Sequence, residues 1–180
     1  LPPELREGPD DVEAAASGAA PRLLEPRDLR GVLHVHSTWS DGHDSLKDMV
    51  EAARDRGWEY VGVSDHSRTA AYANGLSVER VLQQRDELDA LQETAGIRIL
   101  KGIESDILAD GSLDYPDDVL EGFDFVIASV HSQFRMTKAE MTRRVVRAVS
   151  HPATRVLGHP TGRLLLSRDG FELDLDAVFA

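Results

Sequence analysis

A pair of histidines is the feature of this sequence with the clearest chemical potential. His34 and His36 follow an apolar run, and alternate side chains of a β-strand share a face. We therefore expect both imidazoles to point the same way, with Leu33 and Val35 directed into packing. Two imidazoles on one rigid strand can hold a divalent metal, and Asp41, one short turn later, can add an oxygen ligand. The pattern predicts a metal site where the first strand ends.

Four later apolar runs also end in residue types that bind metals. The residues that follow them are His66, Glu104, His131 and His159. With the first strand, these runs supply five imidazoles and two carboxylates, which is more than one metal needs. We expect two or three metals, with Glu104 as a bridge, and this ligand set fits Zn, Mn or Fe without choosing among them. Adjacent metals about 3.5–4 Å apart can activate water and clamp both oxygens of a displaced phosphate ester.

Other polar residues near these positions have candidate supporting roles. Asp65 can orient His66 or a metal-bound water. Arg163 lies four residues after His159, and its planar guanidinium suits phosphate. We interpret Glu104, His131 and Arg163 as the residues that carry catalysis. His43 and His151 are expected to be structural, although His43 is near enough to serve as a reserve ligand. Arg68 and Arg135 are weaker candidates for a phosphate contact, and a plain surface role is at least as well supported for each.

Composition limits the class of protein. The 180 residues suffice for one domain with a sizeable core, and 41% of them are hydrophobic. The sequence holds no cysteine, which excludes disulfides and thiolate metal sites, and no apolar run long enough to cross a membrane. We expect a cytoplasmic protein. The formal charge of −12 argues against broad electrostatic binding of nucleic acid, so any such contact should be local.

From Gly31 onward the pattern alternates strands with helices, which favours an α/β fold with a parallel sheet. Predicted helices begin at Ser45, Ser77 and Thr137, each a preferred capping residue. Later strands are predicted at residues 60–64, 97–103, 125–130 and 155–157. A barrel places functional residues at the carboxyl ends of many strands, whereas an open doubly wound sheet concentrates them at one switch point. Here each of the five predicted strands ends in a candidate metal ligand, so we expect a barrel.

Several motifs resemble those of the PHP (polymerase and histidinol phosphatase) family. They are His34-Val35-His36, Ser40-Asp41-Gly42, Ser64-Asp65-His66, Glu104, Ser129-Val130-His131-Ser132 and Gly158-His159-Pro160. Longer stretches are similar to one branch, the family X DNA polymerases of bacteria and archaea (PolX). These are Pro2-Pro3-Glu4-Leu5-Arg6-Glu7, Asp28-Leu29-Arg30-Gly31 and the run from Gly158 to Leu165.

The resemblance implies a distorted (β/α)7 barrel with three metals and a 3′–5′ exonuclease activity that favours Mn²⁺. It implies that His34, His36 and Glu104 hold the first metal and that Asp41 and His66 hold the third. The second metal would be held by Glu104, His131 and His159. The expected partners are DNA 3′ ends and a polymerase core in the same full-length chain.

The resemblance also implies how the chain is organised. Residues 1–30 are rich in Pro, Gly, Ala and acidic residues, and we expect them to be a linker from an upstream polymerase core. Residues 31–180 would form the PHP domain. The family pattern ends with an Asp-x-His-like pair on a last strand, which this sequence lacks. We therefore expect a barrel that is incomplete at its C-terminal end, with an unpaired parallel edge and a second metal better formed than the other two.

Three other functions are compared with the same pattern of residues. A small-molecule phosphatase of the same family, acting on a compound such as histidinol phosphate, would use the same metal site. A metal amidohydrolase also begins with His-x-His but resembles a barrel with a bridging lysine on strand four, and residues 125–132 contain none. A non-catalytic interaction module is disfavoured by the full set of seven ligands.

Overall fold

The structure is a computed structural model that describes residue 8 and residues 10–180. The stretch Pro2–Glu7, which carries one of the polymerase-like motifs, lies outside the described residues. The strands are β1 Gly31–Val35, β2 Tyr60–Val63, β3 Arg98–Asp106, β4 Phe125–Ser129 and β5 Thr154–Leu157. The helices are α1 Asp11–Ala16, α2 Leu46–Asp55, α3 Val78–Gln92, α4 Asp117–Leu120, α5 Lys138–Val149 and α6 Leu175–Phe179.

Side-chain caps start the main helices at the predicted residues. The Ser45 hydroxyl accepts a hydrogen bond from the backbone N–H of Asp48, 3.2 Å away, and Ser77 begins α3 in the same way. At Thr137 the capping is reciprocal, because Glu140 also accepts from the Thr137 backbone N–H at 2.9 Å. These contacts satisfy backbone donors that the first helical turn leaves without partners. The helix positions therefore follow from local sequence.

All five strands are parallel and lie in the order β1-β2-β3-β4-β5. Apolar residues of α2 and α3 pack against β1, β2 and β3, and those of α5 pack against β3 and β4. The helices therefore cover one face of the sheet, as crossover connections between parallel strands require. All five strands point their carboxyl ends toward the same edge of the sheet.

The sheet curls strongly. Four gaps between five flat strands would separate the outer strands by about 19 Å. The rings of His34, at the end of β1, and His159, just after β5, nevertheless have centroids only 6.0 Å apart. Within the described residues β1 and β5 do not pair with each other, and β5 pairs with β4 alone. The fold is a curled half-barrel, and the predicted unpaired edge is present at β5.

Two glycines make room for an aromatic ring on the sheet. A Cβ added at Gly102 or Gly62 would collide with the ring of Phe125, which is 6% exposed. Leu33 reaches the same place, beside Gly62, but 38% of it is exposed. Leu33 is therefore directed into packing as expected but is only partly covered, because the curled sheet leaves this side of β1 partly open. Within residue 8 and residues 10–180, no helix combines the length and apolarity needed to span a bilayer.

Candidate metal centre

A bulge at the end of β1 brings the first two histidines together. His34 has a φ of 66°, and the pairing of β1 with β2 shifts register between Val32 and Val35. The ring centroids of His34 and His36 lie 5.3 Å apart. The two imidazoles converge as predicted, but the cause is this irregularity rather than the plain alternation of a regular strand.

Glu104 occupies the middle of the cluster. Strand β3 runs to Asp106, three residues beyond its predicted end, so Glu104 lies within the strand and is 1% exposed. Three imidazole nitrogens lie 2.9 to 3.3 Å from its Oε1 atom, and they belong to His159, His34 and His131. Two others lie 3.3 and 3.2 Å from Oε2, and they belong to His36 and His66. Each carboxylate oxygen therefore faces its own group of histidines.

Asp41 extends the cluster on the side of Oε2. Its Oδ1 atom lies 3.2 Å from Nδ1 of His36, and its Oδ2 atom lies 3.6 Å from Nε2 of His66. The side chain of Asp41 is 47% exposed, whereas that of His66 is 9% exposed. Asp41 therefore lies on the solvent side of the cluster, as does His159, whose side chain is 46% exposed.

Three overlapping sets of residues have ligand atoms that all lie within 4.8 Å of one another. These sets are His34, His36 and Glu104; His36, Asp41 and His66; and His66, Glu104 and His131. The first set equals the ligands implied for the first metal, and the second adds His36 to the pair implied for the third. In the remaining set His66 stands where the resemblance implies His159, although His159 contacts Oε1 of Glu104. The assignment of ligands to individual metals stays a prediction.

The cluster fits divalent metal ions by its chemistry. Its ligand atoms are imidazole nitrogens and carboxylate oxygens, the types that bind Zn, Mn and Fe. The buried Nδ1 atoms of His36 and His66 have no hydrogen-bond partner within the described residues, although they face Asp41 and Glu104. A buried polar atom without a partner is costly, and a metal ion would satisfy both.

The charges of the cluster stabilise one another. Burial raises the pKa of Glu104, but hydrogen bonds from His131, His159 and His34 lower it well below its ordinary value. Burial lowers the pKa of His131, yet hydrogen bonds to Asp106 and Glu104 raise it to about 9. Burial is also the main cause that lowers the pKa of His66. The surrounding histidines therefore favour the ionised form of Glu104, which is the form that binds a metal.

Asp106 is a candidate supporting residue that the sequence pattern did not indicate. Its Oδ1 atom lies 2.6 Å from Nδ1 of His131, and its Oδ2 atom accepts a hydrogen bond from the Thr69 hydroxyl at 2.9 Å. A carboxylate in this position fixes the ring of a metal-binding histidine and leaves Nε2 for the metal. The spacing Glu104-x-Asp106 could have indicated it, since alternate residues of a strand share a face.

Asp65 has a different partner from the one predicted. Its carboxylate is fully buried and accepts hydrogen bonds from the backbone N–H and hydroxyl of both Ser37 and Ser40. It also accepts one from Nε2 of Gln84, 2.6 Å away. Asp65 therefore holds the turn that carries Asp41 rather than orienting His66, because the tight turn after β1 folds its donors onto that carboxylate.

The remaining candidates lie outside the cluster. Arg163 is exposed in the loop after β5, and no ion pair of it occurs within the described residues. Arg68 donates to the Asp114 backbone carbonyl oxygen at 2.7 Å, which gives it a structural role. The other two histidines also lie apart, since His43 is exposed in a turn and His151 lies 3.3 Å from Asp117.

Comparison with known proteins identifies the family. The sequence of residues 33–166 matches the family model of the PHP domain. The chain is 45% identical over 179 residues to the DNA polymerase/3′-5′ exonuclease PolX of Bacillus subtilis (strain 168). That match covers 99% of this chain and 31% of the polymerase.

Shorter proteins match as well. A probable phosphatase of Caldicellulosiruptor saccharolyticus is 29% identical over 151 residues, covering 81% of this chain and 58% of the phosphatase. A crystal structure of histidinol phosphate phosphatase from Lactococcus lactis, complexed with zinc, L-histidinol and phosphate, aligns with a TM-score of 0.43 and 24% identity. That alignment covers 66% of this chain and 51% of the other. The family model spans most of the sequence and includes all seven ligand candidates, and so this chain belongs to the PHP domain family, a family of metal-dependent phosphoesterases.

Proposed function

We propose that this chain is the 3′–5′ exonuclease domain of a family X DNA polymerase and hydrolyses phosphodiester bonds at DNA 3′ ends. The proposal depends mainly on the position of Glu104. Its two carboxylate oxygens face separate groups of histidines, which lie at the carboxyl ends of the parallel strands. The 45% identity to PolX, which extends along nearly the whole chain, favours DNA as the substrate.

In this proposal, separate groups of residues bind the metals, position the ligands and bind the substrate phosphate. The seven ligand candidates would hold two to three divalent metals, with Mn²⁺ preferred. Such metals, when bound, activate water and neutralise charge on the phosphate oxygens. Asp106 holds the His131 ring, and Asp65 holds the turn that carries Asp41. Arg163, which lies in the loop after β5, binds the substrate phosphate.

We also propose a larger context for the domain. The chain spans 31% of PolX, so the matched region is one part of that polymerase. Residues 1–30 would link residues 31–180 to a polymerase core in the full-length protein. That core would supply most of the DNA contact, because a net charge of −12 disfavours broad binding of DNA by this chain itself.

A second candidate is a small-molecule phosphatase. The probable phosphatases match 81% of this chain at 29% identity, and the metal centre alone fits a phosphomonoester as well as a diester. In that case histidinol phosphate, or a similar small phosphate ester, would be the substrate.

Parallel assays separate the two candidates. The chain is incubated with Mn²⁺ and either 3′-recessed DNA or histidinol phosphate, and released nucleotides or inorganic phosphate are measured. The proposal predicts release of nucleotides from the 3′ end of DNA and a much lower rate on histidinol phosphate. The opposite preference would replace it with the small-molecule phosphatase.

A further inference from the structure

An exposed tyrosine stands at the edge of the metal centre. Tyr72 is 72% exposed, although its ring lies edge-on to two ligand candidates. The centroid of the Tyr72 ring is 6.0 Å from that of His66 and 6.2 Å from that of His131. An exposed aromatic ring held beside a candidate metal centre is available to stack on a ligand bound there.

The backbone beneath this ring is well anchored. Tyr72 is the middle residue of a single 3₁₀ turn, Ala71–Ala73, and Ala73 is 2% exposed. Asn74 ends the turn with a left-handed φ of 54°, and its side-chain amide donates to the Trp39 backbone carbonyl oxygen at 3.2 Å. The ring is therefore presented by a fixed support, which lowers the entropy cost of binding against it.

A positive charge is held on the loop that follows the ligand candidate His159. The guanidinium of Arg168 lies 3.8 Å from the centroid of the Phe134 ring and donates two hydrogen bonds to the Gly162 carbonyl oxygen, at 3.0 and 2.8 Å. The Gly162 backbone N–H donates to the His159 carbonyl oxygen at 2.9 Å, so Arg168 is anchored to the turn that begins at this ligand candidate. The Nη1 atom of Arg168 donates no hydrogen bond within the described residues.

We propose that Tyr72 and Arg168 form a subsite for the 3′-terminal nucleotide of single-stranded DNA. Tyr72 stacks on the terminal base, and Arg168 binds a backbone phosphate beside the one that is cleaved. Aromatic side chains serve as platforms for bases of any sequence, and arginine suits phosphate. This inference rests on the proposed exonuclease function and names how that site selects nucleic acid. A subsite of this kind also agrees with the net charge of −12, which disfavours a broad basic surface for DNA and leaves room for a local contact.

The proposed stacking of Tyr72 on the terminal base is tested by removing first the base and then the Tyr72 ring. Two single-stranded oligonucleotides are compared with Mn²⁺, one ending in a normal 3′ nucleotide and one in an abasic 3′ residue. The unsubstituted chain should cleave the abasic end with a kcat/KM about 5- to 100-fold lower, since stacking is lost. Tyr72→Phe should keep this preference, and Tyr72→Ala should cleave both ends at the lower rate. An unchanged preference in Tyr72→Ala would overturn the inference.

The proposed contact between Arg168 and a backbone phosphate is tested by the salt dependence of DNA binding. Affinity for the normal oligonucleotide is measured by fluorescence anisotropy over a range of salt concentrations. Arg168→Ala should reduce the slope of log affinity against log salt by about 0.7, whereas Arg168→Lys should keep it. Arg155→Ala, at the start of β5, is the matched control and should leave the slope unchanged. An unchanged slope in Arg168→Ala would refute the phosphate contact.

The two proposals fail in different ways. If the unsubstituted chain releases no nucleotide from either oligonucleotide, the exonuclease function is wrong and this subsite falls with it. If it cleaves both and the substitutions at Tyr72 and Arg168 change neither base preference nor salt slope, the exonuclease stands and the subsite alone is wrong. Thermal melting of each variant, expected within a few degrees of the parent, excludes unfolding as the cause.

Discussion

Replacing Asp65 by asparagine should weaken both the fold and the metal centre. The Oδ1 atom of Asp65 accepts from the backbone N–H of Ser37 and from the backbone N–H and hydroxyl of Ser40. Its Oδ2 atom accepts from the Ser37 hydroxyl and from Nε2 of Gln84. Asparagine has the same shape and can keep an oxygen toward the first three donors, but it places an NH₂ group where Oδ2 stood.

The expected loss follows from these contacts. Hydrogen bonds to a charged acceptor are about twice as strong as neutral ones, so each of the three retained bonds loses about 1 kcal/mol. The Ser37 hydroxyl and the Gln84 amide can both turn to accept from the new NH₂ group, which limits the remaining cost. We expect Asp65→Asn to lower the free energy of unfolding by about 3 kcal/mol. Loosening the turn that carries Asp41 should lower Mn²⁺ affinity about 10- to 100-fold.

Urea denaturation and isothermal titration with Mn²⁺ measure these two effects. The matched control is Asp124→Asn, at an exposed carboxylate that accepts one hydrogen bond, from the backbone N–H of Lys101 at 2.8 Å. It should cost less than about 1 kcal/mol and leave metal binding unchanged. If Asp65→Asn is as stable as this control and binds Mn²⁺ equally well, the account of the turn is wrong.

Three further predictions concern the centre and the sheet. Mn²⁺ at 100 times its Kd should stabilise the chain by about 2.7 kcal/mol, measured as a rise in melting temperature that EDTA reverses, and Glu104→Gln should abolish most of that rise. Asp106→Asn should lower metal affinity about 10- to 100-fold, measured by titration calorimetry, because it loosens the His131 ring; an unaltered affinity would contradict this. Gly102→Ala should cost about 1–3 kcal/mol in urea denaturation because the added methyl collides with Phe125, and a neutral effect would show that the ring moves freely.

Local sequence signals predicted the elements well. The capping residues Ser45, Ser77 and Thr137 begin helices where expected, because each cap depends on hydrogen bonds three residues away. The five strands and their parallel arrangement followed from the alternation of apolar runs with helices. The boundary of β3 was less accurate, because residues 104–106 are polar but lie in a buried strand, where tertiary contacts outweigh local preference.

The site was only partly predictable. All seven ligand candidates come together, since parallel strands end at one edge of a curled sheet. The bulge with a left-handed φ at His34 could not be read from residue types, because alternation predicts a regular strand. The partners of Asp65 and Asp106 depend on which loops fold onto which carboxylate, and this is a matter of tertiary structure.

The most direct test of the central claim is the rate of nucleotide release from 3′-recessed DNA with Mn²⁺. It is measured for the unsubstituted chain, for Glu104→Gln, and for Glu93→Gln, an exposed glutamate just after α3 that serves as the matched control. We predict metal-dependent release by the parent and the control, and a loss of at least about 100-fold in Glu104→Gln, the size typical when a key electrostatic group is removed from a site. Full activity in Glu104→Gln, or release that persists in EDTA, would contradict the account.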